Sequence, residues 1–224
     1  KILLAANGVV TVEFPHLLNL MRENQFDTIY HEHFSYFSFL TAEALFAAHG
    51  LRVFDVEKLT THGGSLRIYG CHMDARFPKT PHVDELLAEE RAAGLDDIAT
   101  YSGFEKKVHK VKWGVLSFLL RAKEQRKTVA AFGAAAKGNT LLNYCGVGPE
   151  FIEYVVDSNP HKQGLFLPGS RIPIYPPDHI HETRPDYVLI LPWNLSGEIT
   201  AAHDYVKSWG GQFVVPVPEV RIVG

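Results

Sequence analysis

The sequence predicts an α/β fold: the second half of a larger α/β sheet, followed from about residue 127 by a doubly wound parallel sheet. Three observations carry this reading. Apolar runs at Lys127–Phe132, Phe151–Val156, Asp186–Leu191 and Phe213–Val215 alternate with segments of helical composition. That is the pattern of parallel strands joined by crossover helices. The first of these strands runs into a small-residue turn, Gly133-Ala134-Ala135-Ala136-Lys137-Gly138. Ahead of them stand only a strand, a helix and a hairpin, with no βα unit of their own to begin a sheet.

In chain order, Val9–Phe14 is β-branched and apolar and reads as a buried strand, stopped by Pro15, which has no N–H for a ladder. Leu17–Met21 reads as a short helix or loop. Thr41 is an N-cap candidate with Glu43 in the first turn, Leu45 and Phe46 form an apolar face, and His49-Gly50 ends the helix. Leu51–Leu59 and Ser65–Cys71 flank the turn Thr61–Gly64 and pair as an antiparallel hairpin. Pro78 and Pro81 mark a linker. Asp84–Glu124 is helical in composition, interrupted near Gly94 and Gly103. In it Val108, Val111, Val115, Phe118 and Leu119 share one face. A helix through Leu141, Leu142 and Tyr144 follows the small-residue turn. Residues 160–174 form a loop, Pro176-Pro177-Asp178 opens a short helix, and Ser196 caps a helix that runs through Trp209 to Gly210-Gly211.

The chain has 224 residues, 46% of them hydrophobic and 21% charged, which suits one large or two modest globular domains. A formal net charge of −3 points to neither a nucleic-acid nor a membrane partner. No apolar run reaches membrane-spanning length, and no signal peptide is expected. The first residue is Lys1 rather than Met, as in a chain that starts mid-protein. Cys71 and Cys145 are too few for a disulfide framework and read as reduced thiols of a cytoplasmic protein.

The run Gln25-Phe26-Asp27-Thr28-Ile29-Tyr30-His31-Glu32-His33-Phe34-Ser35-Tyr36-Phe37-Ser38 concentrates imidazoles, carboxylates and hydroxyls between apolar segments. Either it is an internal hydrogen-bond network or it lines a cleft and does chemistry. On a strand His31 and His33 would share one face, a spacing that suits zinc, but no third ligand follows and no metal is expected. His33 as a general base fits better, since imidazole titrates near working pH, with Glu32 or Tyr30 to orient it. Gly133-x-Ala135-x-x-Gly138 resembles a dinucleotide fingerprint with its middle glycine replaced. Asp157, at the tip of the next strand, stands where an acid meets ribose hydroxyls. A tight βα turn packed with small residues is the plainer account. Pro192-Trp193-Asn194 lies on the same sheet edge, either as a contact for a base or sugar or as a core Trp at a helix start. His62-Gly63-Gly64-Ser65 is a hairpin turn that could bring His62 to the cleft.

Taken together, Glu13-Phe14-Pro15-His16-Leu17-Leu18, Phe26–Ser38, His62–Arg67, Gly133–Thr140, Asp157–Gly164 and Leu191–Asn194 resemble the S-adenosylmethionine-dependent sugar C-methyltransferases, which methylate C3 of nucleotide-linked 4-keto deoxysugars. The resemblance implies the carboxyl-terminal part of a methyltransferase Rossmann-like domain (residues 1–75), a helical linker region (76–126) and a complete Rossmann-like doubly wound domain (127–224). It implies His33 as the base that removes the C3 proton, with Tyr30 and Glu32 positioning the sugar or meeting charge on its C4 oxygen. His62, Lys137, Gly138, Asn139 and Asn194 would bind the nucleotide-linked sugar. The Gly-rich loop and acid that grip S-adenosylmethionine in the family are absent here, as is the family's amino-terminal zinc motif, so this fragment would not turn over alone. Two alternatives stand beside it: a methyltransferase for another acceptor, and a nucleotide-binding Rossmann-like module or dinucleotide oxidoreductase.

Overall fold

The computed structural model describes residues 1–223. The chain divides into two compact units: Lys1–Gln25 with Phe34–Glu105, and Phe26–His33 with the chain from Lys106 onward. The eight residues Phe26–His33 thus leave their sequence neighbours and fold with the second unit.

The first unit contains β1 (Val10–Pro15), α1 (Leu17–Arg22), α2 (Phe39–Ala48), β2 (Leu51–Leu59), β3 (Ser65–His72), α3 (Pro81–Ala92) and α4 (Ile98–Ser102). Its sheet is antiparallel in the order β1-β3-β2, so the expected hairpin is present as β2 and β3. β1 is paired on one side only, and residues Thr11–Glu13 are exposed. The expectation of a buried strand there is corrected: β-branched composition suits an edge strand equally well. Phe39, Ala42, Val53, Val56, Leu66, Ile68, Val83, Leu86 and Leu87 make the core between sheet and helices.

One carboxylate organises this unit. Glu90 is fully buried on α3. Its Oε1 accepts from His16 Nε2 at 2.7 Å and from the Phe39 backbone N–H at 2.7 Å, and its Oε2 accepts from Leu40 N–H at 2.8 Å. Two orphan donors of α2 are therefore satisfied by a side chain fifty residues away rather than locally. The local cap is Ser38, whose Oγ accepts from Thr41 N–H at 3.0 Å, so Thr41 is the third helical residue and not the expected N-cap.

The second unit carries most of α5 (Phe104–Glu124), then β4 (Val129–Phe132), α6 (Ala136–Cys145), β5 (Val155–Val156), β6 (Ile174–Tyr175), α7 (His179–Thr183), β7 (Tyr187–Ile190), α8 (Ser196–Ala202), β8 (Gln212–Val215) and β9 (Arg221–Val223). The sheet runs β6-β5-β4-β7-β8-β9, parallel except for β9. Helices cover both faces. Tyr187 meets Phe118 of α5 edge-on at 5.0 Å, while Ile180 and Ile199 of α7 and α8 join the opposite core with Ala130, Phe132, Val188 and Ile190. This is the α/β, parallel-rich sheet that the alternating pattern predicts.

Two expected elements are shorter. Phe151 and Ile152 give their N–H groups to Gly148 in a turn, so the strand begins only at Val155. The helix begun at Ser196 ends at His203 and continues as a 3-10 segment, Asp204–Trp209, and Ser196 is its first residue rather than its cap. Because β5 lies to one side of β4 and β7 to the other, the loops after β4 and β7 diverge. Open α/β sheets form their crevice at such a switch point.

Glu90 and its neighbour Glu89 give a direct test. Glu89 pairs on the surface with Arg22 and Lys58. Glu90→Ala strands two buried donors and one partly buried one and is expected to cost roughly 3–5 kcal/mol. Glu89→Ala loses two exposed ion pairs and is expected to cost about 1 kcal/mol or less. Urea denaturation of the two variants compares them, and equal losses would remove Glu90 from its organising role.

Candidate active site

The small-residue turn after β4 is built by packing against the end of β7. Gly133 has φ +89°, and a Cβ there would lie 2.5 Å from Pro192 Cδ. A Cβ on Gly138 would lie 2.6 Å from Leu191 Cβ. Both glycines are thus required by the close approach of α6 to the β7 loop. Asp157 is also occupied. Its Oδ2 accepts from Ala134 N–H at 2.8 Å and Lys162 Nζ at 3.2 Å, and its Oδ1 accepts from Asn159 N–H at 2.8 Å. Lys162 donates further to the Ala134 carbonyl at 2.8 Å. The acid expected to meet ribose hydroxyls instead braces the turn.

At the switch point stands the Phe26–His33 segment. Phe26–Thr28 forms a 3-10 turn, with Phe26 edge-on to Tyr144 of α6 at 5.2 Å. Asp27 has no solvent exposure. Its Oδ2 accepts from the Trp193 indole N–H at 2.6 Å, while its Oδ1 has no hydrogen-bond partner among the described residues. Burial pushes the carboxyl up to about 6, against the opposing pull of the indole hydrogen bond and the Lys137 charge. Lys137, in the first turn of α6, holds its ammonium 4.7 Å over the Trp193 ring and donates to Asn194 Oδ1 at 3.3 Å. Burial draws its ammonium below the ordinary lysine value, and the charge on Asp27 opposes that.

Tyr30–His33 closes as a tight turn, with His33 N–H donating to Tyr30 C=O at 3.0 Å. His33 Nδ1 lies 2.7 Å from the Thr28 carbonyl. A carbonyl only accepts, so Nδ1 carries the proton and Nε2 is the basic nitrogen. The Tyr30 ring lies 4.4 Å from the His33 ring at 34°. Glu32 and His31 are exposed on the same turn, and no strand forms here. The shared strand face expected of His31 and His33 does not exist.

The structure therefore brings His33, Tyr30 and Glu32 onto one turn, and Lys137 and Asn194 into direct contact. Gly138 is buried against Leu191. Asn139 is engaged along α6, where its side-chain oxygen accepts from Asn143 at 3.2 Å. His62 belongs to the first unit, at φ +57° in the turn Thr61–Gly63. Asp27 is the residue that sequence reasoning passed over. Its one signal is an acid inside Phe26-Asp27-Thr28, where every residue is buried.

The model of the C-methyltransferase C-terminal domain matches residues 60–218. The chain belongs to the C-methyltransferase family. It is similar to the C-methyltransferase NovU of Streptomyces niveus, 42% identical over 221 residues, or 99% of this chain and 53% of that protein. The chain thus spans about half the length of this C-methyltransferase relative. Among the described residues no helix is long and apolar enough to cross a membrane, and no group of three His, Cys, Asp or Glu side chains could hold a metal ion.

The raised carboxyl gives a sign that can be checked. The folded state holds the Asp27 proton more tightly than an unfolded chain does. The stability this contributes is complete below the ordinary aspartate value and is lost as pH rises through about 6. Relative to Asp27→Asn, which does not titrate, the native protein is expected to lose up to roughly 3 kcal/mol between about pH 4 and pH 7. Urea midpoints of both proteins across that range measure it. A difference that grows in the native protein's favour would mean that Asp27 is held ionised.

Proposed function

We propose that this chain carries the proton-abstracting part of a C-methyltransferase that methylates C3 of a nucleotide-linked 4-keto deoxysugar, with His33 as the base. The observation that carries the reading is the His33 Nδ1 hydrogen bond to the Thr28 carbonyl, which makes Nε2 the basic nitrogen. A proton next to a ketone is acidic enough for imidazole when the enolate oxygen is stabilised. His33 Nε2 takes the C3 proton, and the electron pair moves to the C4 oxygen. The Tyr30 hydroxyl lies on the same turn to donate to that oxygen, and Glu32 holds the sugar hydroxyls. Lys137 and Asn194, a cation and an amide at the edge of the switch point, suit the diphosphate of the nucleotide, with Asn139 beside them on α6.

Family membership implies S-adenosylmethionine as methyl donor, which supplies an electrophilic methyl to the carbon that His33 activates. The second unit does not fit that donor. Asp157, the acid expected of a ribose site, is spent on Ala134, Asn159 and Lys162, and Asp27 lies buried against the loop after β7. The same two facts disfavour the dinucleotide oxidoreductase. The donor's grip is assigned to the rest of the protein.

Deuterium wash-in at C3 isolates the proton step, because it needs no methyl donor. The complete protein is expected to exchange the C3 proton of one member of a panel of nucleotide 4-keto sugars in heavy water. His33→Ala should slow exchange and methyl transfer together by on the order of 10²–10⁴. Tyr30→Phe should slow both by on the order of 10²–10³ if its hydroxyl meets the enolate. Methyl gain on an acceptor of another class would move the substrate and keep the base. Exchange undiminished in His33→Ala would remove His33 from the role.

A further inference from the structure

The Phe26–His33 segment has little regular structure of its own: one 3-10 turn and one tight turn. Its geometry must come from what it is fastened to. Its polar fastening to the loop after β7 is Asp27, held by the Trp193 indole at 2.6 Å across 166 residues of sequence, beside the apolar contact of Phe26 with Tyr144. The next residue, Thr28, supplies the carbonyl that His33 Nδ1 reaches at 2.7 Å. Asp27, Thr28 and His33 thus form a short mechanical path from the loop after β7 to the imidazole.

We propose that Asp27 is a positioning residue: bound by Trp193, it fixes the Thr28 carbonyl and so holds His33 with Nδ1 protonated and Nε2 basic. This rests on the reading of His33 as the base. Three elements meet at the carboxyl group: the 3-10 turn, the loop after β7, and the first turn of α6 through Lys137. A buried oxygen without a partner is costly and is kept where something other than stability is served. Here the acceptor that grips the indole brings a second oxygen that the site leaves unsatisfied.

The test uses the complete protein with ¹⁵N-labelled histidine, comparing Asp27→Ala, Asp27→Asn and Trp193→Phe. The His33 ring resonances, assigned by difference against His33→Gln, report the tautomer directly. Asp27→Ala is expected to lose the predominant Nδ1–H signature and to lower kcat for deuterium wash-in roughly 10- to 100-fold, with KM changed by about twofold or less. Asp27→Asn retains an acceptor for the indole and should restore the signature and most of the rate. Trp193→Phe, which removes the donor, should follow Asp27→Ala.

An unchanged tautomer in Asp27→Ala, or in Trp193→Phe should the former fail to fold, overturns the proposal, and so does Asp27→Asn behaving like Asp27→Ala. The two readings fail separately. If His33→Ala still exchanges, His33 is not the base, while the tautomer measurement still decides what Asp27 does. If His33→Ala is dead and the tautomer is indifferent to Asp27, only the positioning role is lost.

Discussion

The hydrogen bond from the Trp193 indole to the buried Asp27 carboxylate ties the Phe26–His33 segment to the loop after β7. Eight residues with two turns between them cannot hold an imidazole in one orientation, because each unanchored residue regains backbone freedom worth about 1–2 kcal/mol. A parallel sheet buried on both faces can. β4 and β7 are among the most enclosed strands of the molecule, and their loops inherit that rigidity. Trp193 follows β7 almost directly, so Asp27 is attached to the stiffest available point. Phe26 on Tyr144 adds an apolar contact beside it, and the polar bond sets the register.

The Rossmann-like unit then reads differently from its motif. Glycines at 133 and 138 are the pattern that lets backbone approach a phosphate. Here the space they leave is taken by Pro192 and Leu191. The acid after β5 is the pattern that binds a ribose, and here it accepts from Ala134, Lys162 and Asn159. Each element of the fingerprint is retained for the turn it makes possible. What stands at the switch point is a piece of the same chain, the Phe26–His33 segment that carries the proposed base.

This explains which parts were legible in the sequence. β4, β7 and β8 were plain because strands buried on both faces must be apolar throughout. Glycine and proline marked most of the helix ends for steric reasons that act locally. β1 was misjudged because an edge strand and a central one share β-branched composition. The α2 cap moved from Thr41 to Ser38 because two hydroxyl residues three apart are equivalent until the backbone is placed. The residues proposed to react, Tyr30, Glu32 and His33, stood out as types, since such polar groups are costly together unless used. Their support did not. Asp27 and Trp193 are joined only by the fold, and an acid among buried neighbours looks the same in sequence whether it is satisfied, strained or functional.

Two buried carboxylates make the last distinction. Glu90 accepts three hydrogen bonds, using both oxygens, and ties a helix start to His16. Asp27 accepts one side-chain hydrogen bond, and its Oδ1 has no partner among the described residues. A group kept for stability alone is expected to be satisfied, because the desolvation of each unmet oxygen counts against the fold. Glu90 meets that expectation and Asp27 does not. Replacing Asp27 with an apolar residue would relieve the unmet oxygen but release the indole and, with it, the turn that carries His33. That imbalance is the observation that favours the positioning role proposed for Asp27.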